Sequence, residues 1–240
     1  KKNTLPILSN VLLELKNNKL SVVATDLDII FNDEILEVKI IKEGSTTTSA
    51  AILFDILRKI PSNSDLNFEL KTENKLSLKS ENSDFNLLCL PIDNFPTFAD
   101  EFKGQEISLD NSKFLKLLNK TRISVSNDDT RHYLNGIFLH LTEAHGRNFL
   151  TGVATDSHRL SSSSLEINNP DQFQSFILPR KTVYQLCSLL SENSEPLTMQ
   201  TSENKIKFII EKMRLVSKVI DGKFPDYKKV VPTNNDKKLT

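Results

Sequence analysis

The chain has 240 residues, with 31 basic and 31 acidic side chains, so its formal net charge at pH 7 is zero. Such a chain is not a polycation, and any contact with nucleic acid must come from local segregation of charge. No apolar run approaches the roughly 20 residues that a membrane helix needs, and no signal peptide is visible, so we expect a soluble cytoplasmic protein. Cys89 and Cys187 form no CxxC pair and lie in apolar surroundings, which predicts buried, reduced thiols.

An internal repeat organises the chain. Three markers occur twice, with offsets of 130, 130 and 129 residues: Ala-Thr-Asp at 24–26 and 154–156, Glu-Asn-Lys at 73–75 and 203–205, and Phe-Pro-x-aromatic at 95–98 and 224–227. A period this long indicates a duplicated domain. We predict a first domain over residues 1–105, a second over 106–232, and in 233–240 the start of a linker to an absent third domain.

The first copy opens with a hairpin, because two short apolar runs flank Lys16-Asn17-Asn18-Lys19. A helix follows and ends at Pro61; its apolar positions are Leu53, Ile56, Leu57 and Ile60. Three strand-like runs come next, at residues 66–70, 75–79 and 85–90.

The second copy repeats this order, with a longer hairpin turn that contains Gly146, a helix with Val183, Leu186, Cys187 and Leu190, and strand-like runs at 197–201, 205–210 and 214–220. It also begins with an additional segment, from about Glu106 to Tyr133. In this segment Asp110-Asn111-Ser112 can cap a helix with apolar positions Phe114, Leu117 and Leu118. By analogy a strand and a helix are absent before the first copy, so we expect an internal piece of a longer protein with at least three tandem domains. The fold class is α+β, with two helices on one face of a small antiparallel sheet in each complete domain.

Basic residues gather on the two helices of the second copy. Lys113, Lys116 and Lys120 lie at i, i+3 and i+7 and so share one helix face. The second helix opens with Arg180-Lys181. Because no acidic residue is interleaved with these cations, we expect sequence-independent contacts with phosphates. The alternative is a pair of ordinary solvated faces.

The two copies differ at some positions and agree at others. Residues present in both indicate a role in folding, and residues present in one indicate a role in function. Thr155-Asp156 recurs as Thr25-Asp26, so we expect this Asp to satisfy backbone donors in a turn. The residues that follow, Ser157-His158-Arg159-Leu160, have no match in the first copy, which indicates a surface feature special to the second. The histidines show no metal-ligand spacing and Ser157 lacks a nucleophile motif, which disfavours a hydrolase built on Asp156 and His158. We predict no catalytic residue, metal or cofactor.

Four motifs closely resemble the bacterial DNA polymerase III beta subunit family of sliding clamps: residues 4–10, 131–136, 154–160 and 221–227. The resemblance implies three similar domains per chain and a head-to-tail homodimer that closes a six-domain ring around double-stranded DNA. This sequence would cover most of domain one and all of domain two. The implied function is a non-catalytic processivity factor for the replicative polymerase. The alternative is a non-enzymatic interaction scaffold that never meets nucleic acid, which the zero net charge would suit.

The resemblance also implies the binding residues. In this family a pocket between the second and third domains captures short peptides from the replicative polymerase, the clamp loader, repair polymerases and ligase. The matching positions here are Leu134, Thr155, Ser157, His158, Arg159, Leu160, Pro225, Lys229 and Val230. The expected DNA-binding residues are Lys2, Arg180 and Lys181, which match family basic positions, together with Lys113, Lys116 and Lys120. Ser157 and Lys229 stand where the family often has Gly and Arg.

Overall fold

The computed structural model describes residues 5–96, 102, 106–168 and 173–232. Lys2 and residues 233–240, which carry a DNA-contact and a linker prediction, lie outside the described residues. The strands are β1 (Asn10–Lys16), β2 (Lys19–Thr25), β3 (Ile29–Leu36), β4 (Gly44–Ser49), β5 (Asn67–Thr72), β6 (Lys75–Ser80), β7 (Ser83–Leu90), β8 (Glu106–Leu109), β9 (Gly136–Ala144), β10 (Arg147–Thr155), β11 (Leu160–Glu166), β12 (Phe176–Pro179), β13 (Leu197–Thr201), β14 (Lys205–Ile210) and β15 (Met213–Lys218). The helices are α1 (Ala50–Leu57), α2 (Asn111–Thr121) and α3 (Arg180–Glu192).

The two copies share one pairing scheme, which confirms the predicted duplication. In the first copy β1 pairs with β2 and β4, and β2 pairs with β3; in the second β9 pairs with β10 and β12, and β10 pairs with β11. Even the register agrees, because Leu12 lies opposite Thr47 just as Phe138 lies opposite Ile177. The pair of Thr47 and Leu90 recurs as the bridge between Ile177 and Ile220.

Both predicted hairpins are present and turn in the same way. Asn17 and Asn18 have φ values of 52° and 58°, and His145 and Gly146 have 52° and 69°. Two successive left-handed residues form the turn type whose twist matches that of paired strands. The longer turn expected in the second copy is therefore wrong: its extra residues lengthen β9 and β10, and the turn itself stays at two residues.

The chain forms two compact units, the first of residues 1–108 and 195–218, the second of residues 109–194 and 219–240. The first unit draws on both sequence copies because β15 pairs with β3, from Asn32 opposite Arg214 to Ile29 opposite Ser217. The sequence-based domain bounds at residues 105 and 232 stay a prediction, since the repeat and the compact unit are different divisions of the chain.

The first unit contains an eleven-stranded sheet in the order β5-β6-β7-β4-β1-β2-β3-β15-β14-β13-β8. Its helix α1 begins after Ser49, whose side chain accepts a hydrogen bond from the Ile52 amide, and it buries Leu53. A buried cluster surrounds Leu53 and includes the free thiol of Cys89; its other members are Val11, Leu13, Leu76, Leu78 and Leu87.

The second unit contains a four-stranded antiparallel sheet in the order β11-β10-β9-β12. Helix α2 packs on β10 and β11, helix α3 packs on β9 and β12, and the two helices touch each other. They therefore cover one face of the sheet, as predicted. Asp110 caps α2 by accepting the Lys113 amide at 2.9 Å, and the predicted apolar positions Phe114, Leu117 and Leu118 are all buried.

Helix α3 buries its predicted apolar face as well. Val183, Leu186 and Leu190 are inaccessible to solvent, and the free thiol of Cys187 lies among them. Burial raises the pKa of the Cys187 thiol, which opposes thiolate formation. The prediction of reduced, buried cysteines is confirmed for both positions.

Candidate functional site

The site begins with the turn that joins β10 to β11 in the second unit. The Thr155 hydroxyl donates to the Arg159 carbonyl oxygen at 2.8 Å and accepts the Ser157 amide at 3.1 Å. One carboxylate oxygen of Asp156 accepts the amides of His158 and Arg159, each at 3.0 Å. The side chains of Thr155 and Asp156 therefore fix the path of the turn.

The first copy has the same turn with the same bonds. Thr25 donates to the Ile29 carbonyl oxygen at 2.9 Å, and one oxygen of Asp26 accepts the amides of Asp28 and Ile29. Leu27 has a φ of 78°, against 77° for its counterpart Ser157. The predicted structural role of the Thr-Asp pair is confirmed, and the left-handed backbone gives the reason why glycine suits position 157.

Asp156 stays ionised within this turn. The backbone hydrogen bonds from His158 and Arg159 hold the pKa of its carboxyl below the ordinary value, and the Arg159 guanidinium adds to the effect. The second carboxylate oxygen receives the Arg159 Nε at 3.0 Å. Both carboxylate oxygens of Asp156 therefore accept hydrogen bonds from within the turn. The His158 side chain is exposed.

An apolar cluster lies beside the turn. Its buried members are Leu134, Val153, Ile177 and Phe224, and Leu160 packs against them while still partly accessible. Leu134 is only 2% exposed, so it forms the buried base of the site and Leu160 supplies surface at the turn. Two residues that the sequence places 26 positions apart therefore meet in one cluster.

The tail after β15 carries the remaining predicted residues. Pro225, Lys229 and Val230 are all exposed, and Val230 keeps 69% of its surface accessible. Lys229 pairs with Asp226 at 3.3 Å. A single 3-10 turn, Tyr227–Lys229, holds this part of the tail. The exposed Val230 side chain is an apolar group presented to solvent by an ordered segment.

Five of the six predicted phosphate-binding residues, all except Lys2, lie on the two helices of the same unit. Lys113, Lys116 and Lys120 are exposed on α2, opposite its buried apolar face. Arg180 and Lys181 form the first turn of α3, where Arg180 is partly accessible and Lys181 exposed. The structure thus presents a row of cations on the outer side of α2.

Within the described residues, no group of three or more His, Cys, Asp and Glu side chains could hold a metal ion. None of the helices in this part of the chain is long and apolar enough to cross a membrane. A surface cavity of about 290 Å³ lies in the first unit, against α1 and β7, and is lined by Ile52, Ile56, Ile60 and Phe85 among others. It includes none of the predicted binding residues.

Two family models match the chain side by side. The DNA polymerase III beta subunit N-terminal domain matches residues 1–99, and the central domain of the same protein matches residues 108–226. The chain belongs to the DNA polymerase III beta subunit family. The N-terminal domain precedes the central domain, as the family resemblance implies.

Individual relatives agree with this family. The beta sliding clamp of Caulobacter vibrioides is 37% identical over 244 aligned residues, which cover 100% of this chain and 65% of the relative. The structure of Caulobacter crescentus pol III beta aligns over 98% of this chain and 64% of its own, with a TM-score of 0.93 and 36% identity. A sliding clamp from Bartonella birtlesii bound to griselimycin gives a TM-score of 0.92 at 38% identity. The chain has the sliding-clamp fold, and it spans just under two thirds of the length of these relatives.

One contact at the site of this beta-subunit chain was not among the predicted residues. Arg131 donates from Nη1 to the Ser157 hydroxyl at 2.6 Å and from Nε to Asp128 at 2.9 Å. Hydrogen bonds from Thr130, followed by the one from Arg131, hold the pKa of Asp128 below its ordinary value. Arg131 stands inside a recognised motif, and its signal was Asp128 three residues earlier, a spacing at which opposite charges meet on a helical turn.

Proposed function

We propose that this chain works within a sliding clamp, a ring that encircles double-stranded DNA and keeps the replicative polymerase on its template. It contributes binding surfaces and performs no catalysis. The ring-forming homodimer, the partner peptides of the polymerase, clamp loader, repair polymerases and ligase, and a cytoplasmic location all belong to this proposal. The observation that carries it is the apolar cluster of Leu134 and Leu160 beside a side-chain-fixed turn, with Tyr227 of the tail packed against the same cluster.

The chemistry of this site suits a short peptide. Leu160, partly accessible on the buried cluster, and the exposed Val230 each offer apolar surface to a hydrophobic side chain of a peptide. Arg159 and Lys229 add exposed cations, each paired with a neighbouring Asp. Because the turn is fixed before any ligand arrives, little conformational entropy is lost on binding there.

The cations of α2 and α3 suit the phosphates of DNA. Contacts of Lys and Arg with phosphates are independent of sequence and weaken as salt rises. Weak contacts of this kind permit a ring to slide, whereas closure of the ring prevents its escape. Lys113, Lys116 and Lys120 are exposed, and α2 itself contains no acidic residue; the capping Asp110 lies beside Lys113.

A titration of the native-length protein with a fluorescent peptide from the replicative polymerase tests the peptide site. We expect Arg159→Ala and Leu160→Ala each to weaken binding by about tenfold, which is about 1.4 kcal/mol. Two matched controls should bind normally: Arg147→Ala, an exposed arginine at the other end of β10, and Ile30→Ala, the counterpart of Leu160 in the first copy. Unchanged affinity in both site variants would show that the peptide binds elsewhere.

Retention on plasmid DNA tests the ring. The loaded protein should stay on a closed circle and leave when the circle is cut, because only a topological link depends on closure. A triple change of Lys113, Lys116 and Lys120 to Glu should lower the amount loaded and the salt dependence of loading, whereas Lys212→Glu, on the β14–β15 turn, should change neither. A protein that shows no retention on either form of DNA would instead be an interaction scaffold.

A further inference from the structure

The tail that carries Pro225, Lys229 and Val230 is attached to β9 by aromatic rings. Phe224 stacks on Phe138 with ring centroids 5.0 Å apart and an interplanar angle of 6°. Phe138 stacks in turn on His140 at 4.8 Å and 19°. The imidazole of His140 then meets the ring of Tyr227 at 5.6 Å. The tail is therefore held at two points, Phe224 and Tyr227, on one row of side chains along β9.

The second of these points includes a hydrogen bond with a defined direction. His140 Nδ1 lies 3.0 Å from the Leu141 carbonyl oxygen, which can only accept, so Nδ1 carries the hydrogen. Nε2 of the neutral ring is then an acceptor, and the Tyr227 hydroxyl donates to it at 3.1 Å. Both partners are uncharged in this arrangement.

The surroundings favour the uncharged pair. Burial is the main cause that lowers the pKa of His140. The hydrogen bond with the Leu141 carbonyl opposes it to a smaller extent, and the Lys228 ammonium adds a still smaller lowering. Burial, followed by the Asp226 carboxylate, raises the pKa of Tyr227. Across the sheet, the residue of β10 opposite His140 is the uncharged Thr151.

Fixing Tyr227 also fixes the residues that follow it. The Val230 amide donates to the Tyr227 carbonyl oxygen at 3.1 Å, and the Lys229 amide donates to the Asp226 carbonyl oxygen at 3.3 Å. Tyr227 and Val230 are the two ends of one turn. A hydrogen bond at the ring of Tyr227 therefore sets where the exposed Val230 side chain stands.

The first copy has no equivalent of this bond. In the shared strand register His140 corresponds to Glu14, since Glu14 lies opposite Ser21 as His140 lies opposite Thr151. In the shared Phe-Pro-x-aromatic motif Tyr227 corresponds to Phe98, which has no hydroxyl. The sequence of the first copy therefore offers neither partner of the bond, so the His-Tyr pair is specific to the second copy.

We propose that His140 and Tyr227 are positioning residues that tether the Tyr227–Val230 turn to β9 and hold it ready for a partner peptide. The tether rests on the proposed function, because its effect is on the same peptide site. A protein whose tail is released a larger fraction of the time binds peptide more weakly in proportion to the loss of the competent state.

Protonation weakens the tether. A second hydrogen on His140 removes the acceptor at Nε2, so the Tyr227 hydroxyl must turn to accept, and it places a charge in a half-buried site beside Lys228. Because the pKa of His140 is lowered when the tail is tethered, the tethered state is fully favoured above the ordinary histidine value, about 6.5. It loses stability as the pH falls below that value, until the lowered pKa is passed.

The test measures peptide affinity by fluorescence anisotropy between pH 5 and 8, with the native-length protein. Tyr227→Phe, which keeps the ring and removes only the hydroxyl, should bind about fivefold more weakly at pH 7.5, the effect of one neutral hydrogen bond. The wild-type affinity should fall on acidification, whereas Tyr227→Phe should depend much less on pH. His140→Gln restores an acceptor that does not titrate, so it should bind well at both ends of the range. Tyr184→Phe, an exposed tyrosine on α3, and His145→Gln, in the hairpin turn, are the matched controls.

Nuclear magnetic resonance titration of the His140 ring gives a second reading that needs no peptide. The pKa of His140 should rise toward the ordinary histidine value in the Tyr227→Phe variant. If the wild type binds peptide and Tyr227→Phe binds equally well at every pH, the tether is overturned while the proposed function stands. If the wild type binds no peptide at any pH, the proposed function fails and the tether loses its role with it.

Discussion

Gly152 allows helix α2 to lie against the sheet of the second unit, and its replacement by alanine tests that packing. A Cβ atom at this position would lie 2.6 Å from Leu117 Cδ2 and 3.3 Å from Ile137 Cγ2. Carbon atoms in contact normally lie about 3.5 to 4.0 Å apart, so the new methyl group intrudes by about 1 Å on Leu117. Leu117 is 1% exposed and cannot move into solvent. Overpacking of this kind should lower the free energy of unfolding of the Gly152→Ala variant by about 2 kcal/mol.

A second change distinguishes this steric cause from others. Leu117→Ala alone should cost about 3 kcal/mol, because it leaves a cavity under α2. In the double variant the alanine methyl at 152 enters space that Leu117 has vacated, so the two losses should not add. We expect the double variant to be about 2 kcal/mol more stable than the sum of the single effects predicts.

Urea unfolding followed by far-ultraviolet circular dichroism suits this protein, since the chain has no tryptophan. Gly44→Ala is the control: a Cβ there meets nothing within 4 Å, and the change should be neutral or stabilise by about 0.5 kcal/mol. Gly136→Ala should cost more than Gly152→Ala, because its Cβ would lie 2.3 Å from the Leu178 carbonyl oxygen, a backbone atom. A fully stable Gly152→Ala variant, or strictly additive effects of the two changes, would refute the packing argument.

Three smaller tests concern single side chains. Ser157→Gly removes the hydrogen bond from Arg131 but also removes the strain of a left-handed backbone at φ 77°. Urea unfolding should show a free energy of unfolding about 1 kcal/mol higher than that of the wild type. A lower value would mean that the hydrogen bond contributes more than the strain costs. Asp156→Asn should be less stable than wild type above about pH 4, the ordinary Asp pKa, and the difference should vanish as the pH falls through the lowered folded value. Its persistence at lower pH would contradict an ionised Asp156. In a Cys89→Ser background, Cys187 should react with a thiol reagent at pH 7.5 only as fast as the second unit opens, and immediate labelling of the folded protein would show an accessible thiol.

Local patterns were enough to predict much of the fold. The hairpins around Asn17 and Gly146, the capped helix α2 and the apolar face of α3 each follow from residues close together in sequence. The repeat also predicted a structural role for Asp156 in the turn, because the first copy has Asp26 at the equivalent position. These features depend on periodicity, capping and turn chemistry, which neighbouring residues determine.

Strands β3, β4, β11 and β12 were not predicted. β11 contains four consecutive serines between Leu160 and Leu165, so it lacks the apolar run that marks a strand. It forms because β10 provides a partner, and Thr151 and Ser164 join their hydroxyls across the pair at 2.8 Å. A strand of this composition is specified by its neighbour and leaves little trace in its own sequence.

By itself the sequence determined the duplication and the family, and it predicted the residues of the candidate site. Only the tertiary structure decided that β15 pairs with β3, that Arg131 reaches Ser157 across 26 residues, and that Tyr227 reaches His140 across 87. Each of these contacts joins segments with no local pattern in common. Their geometry depends on the shared packing of the sheet and the tail, which forms only when distant parts of the chain are brought together.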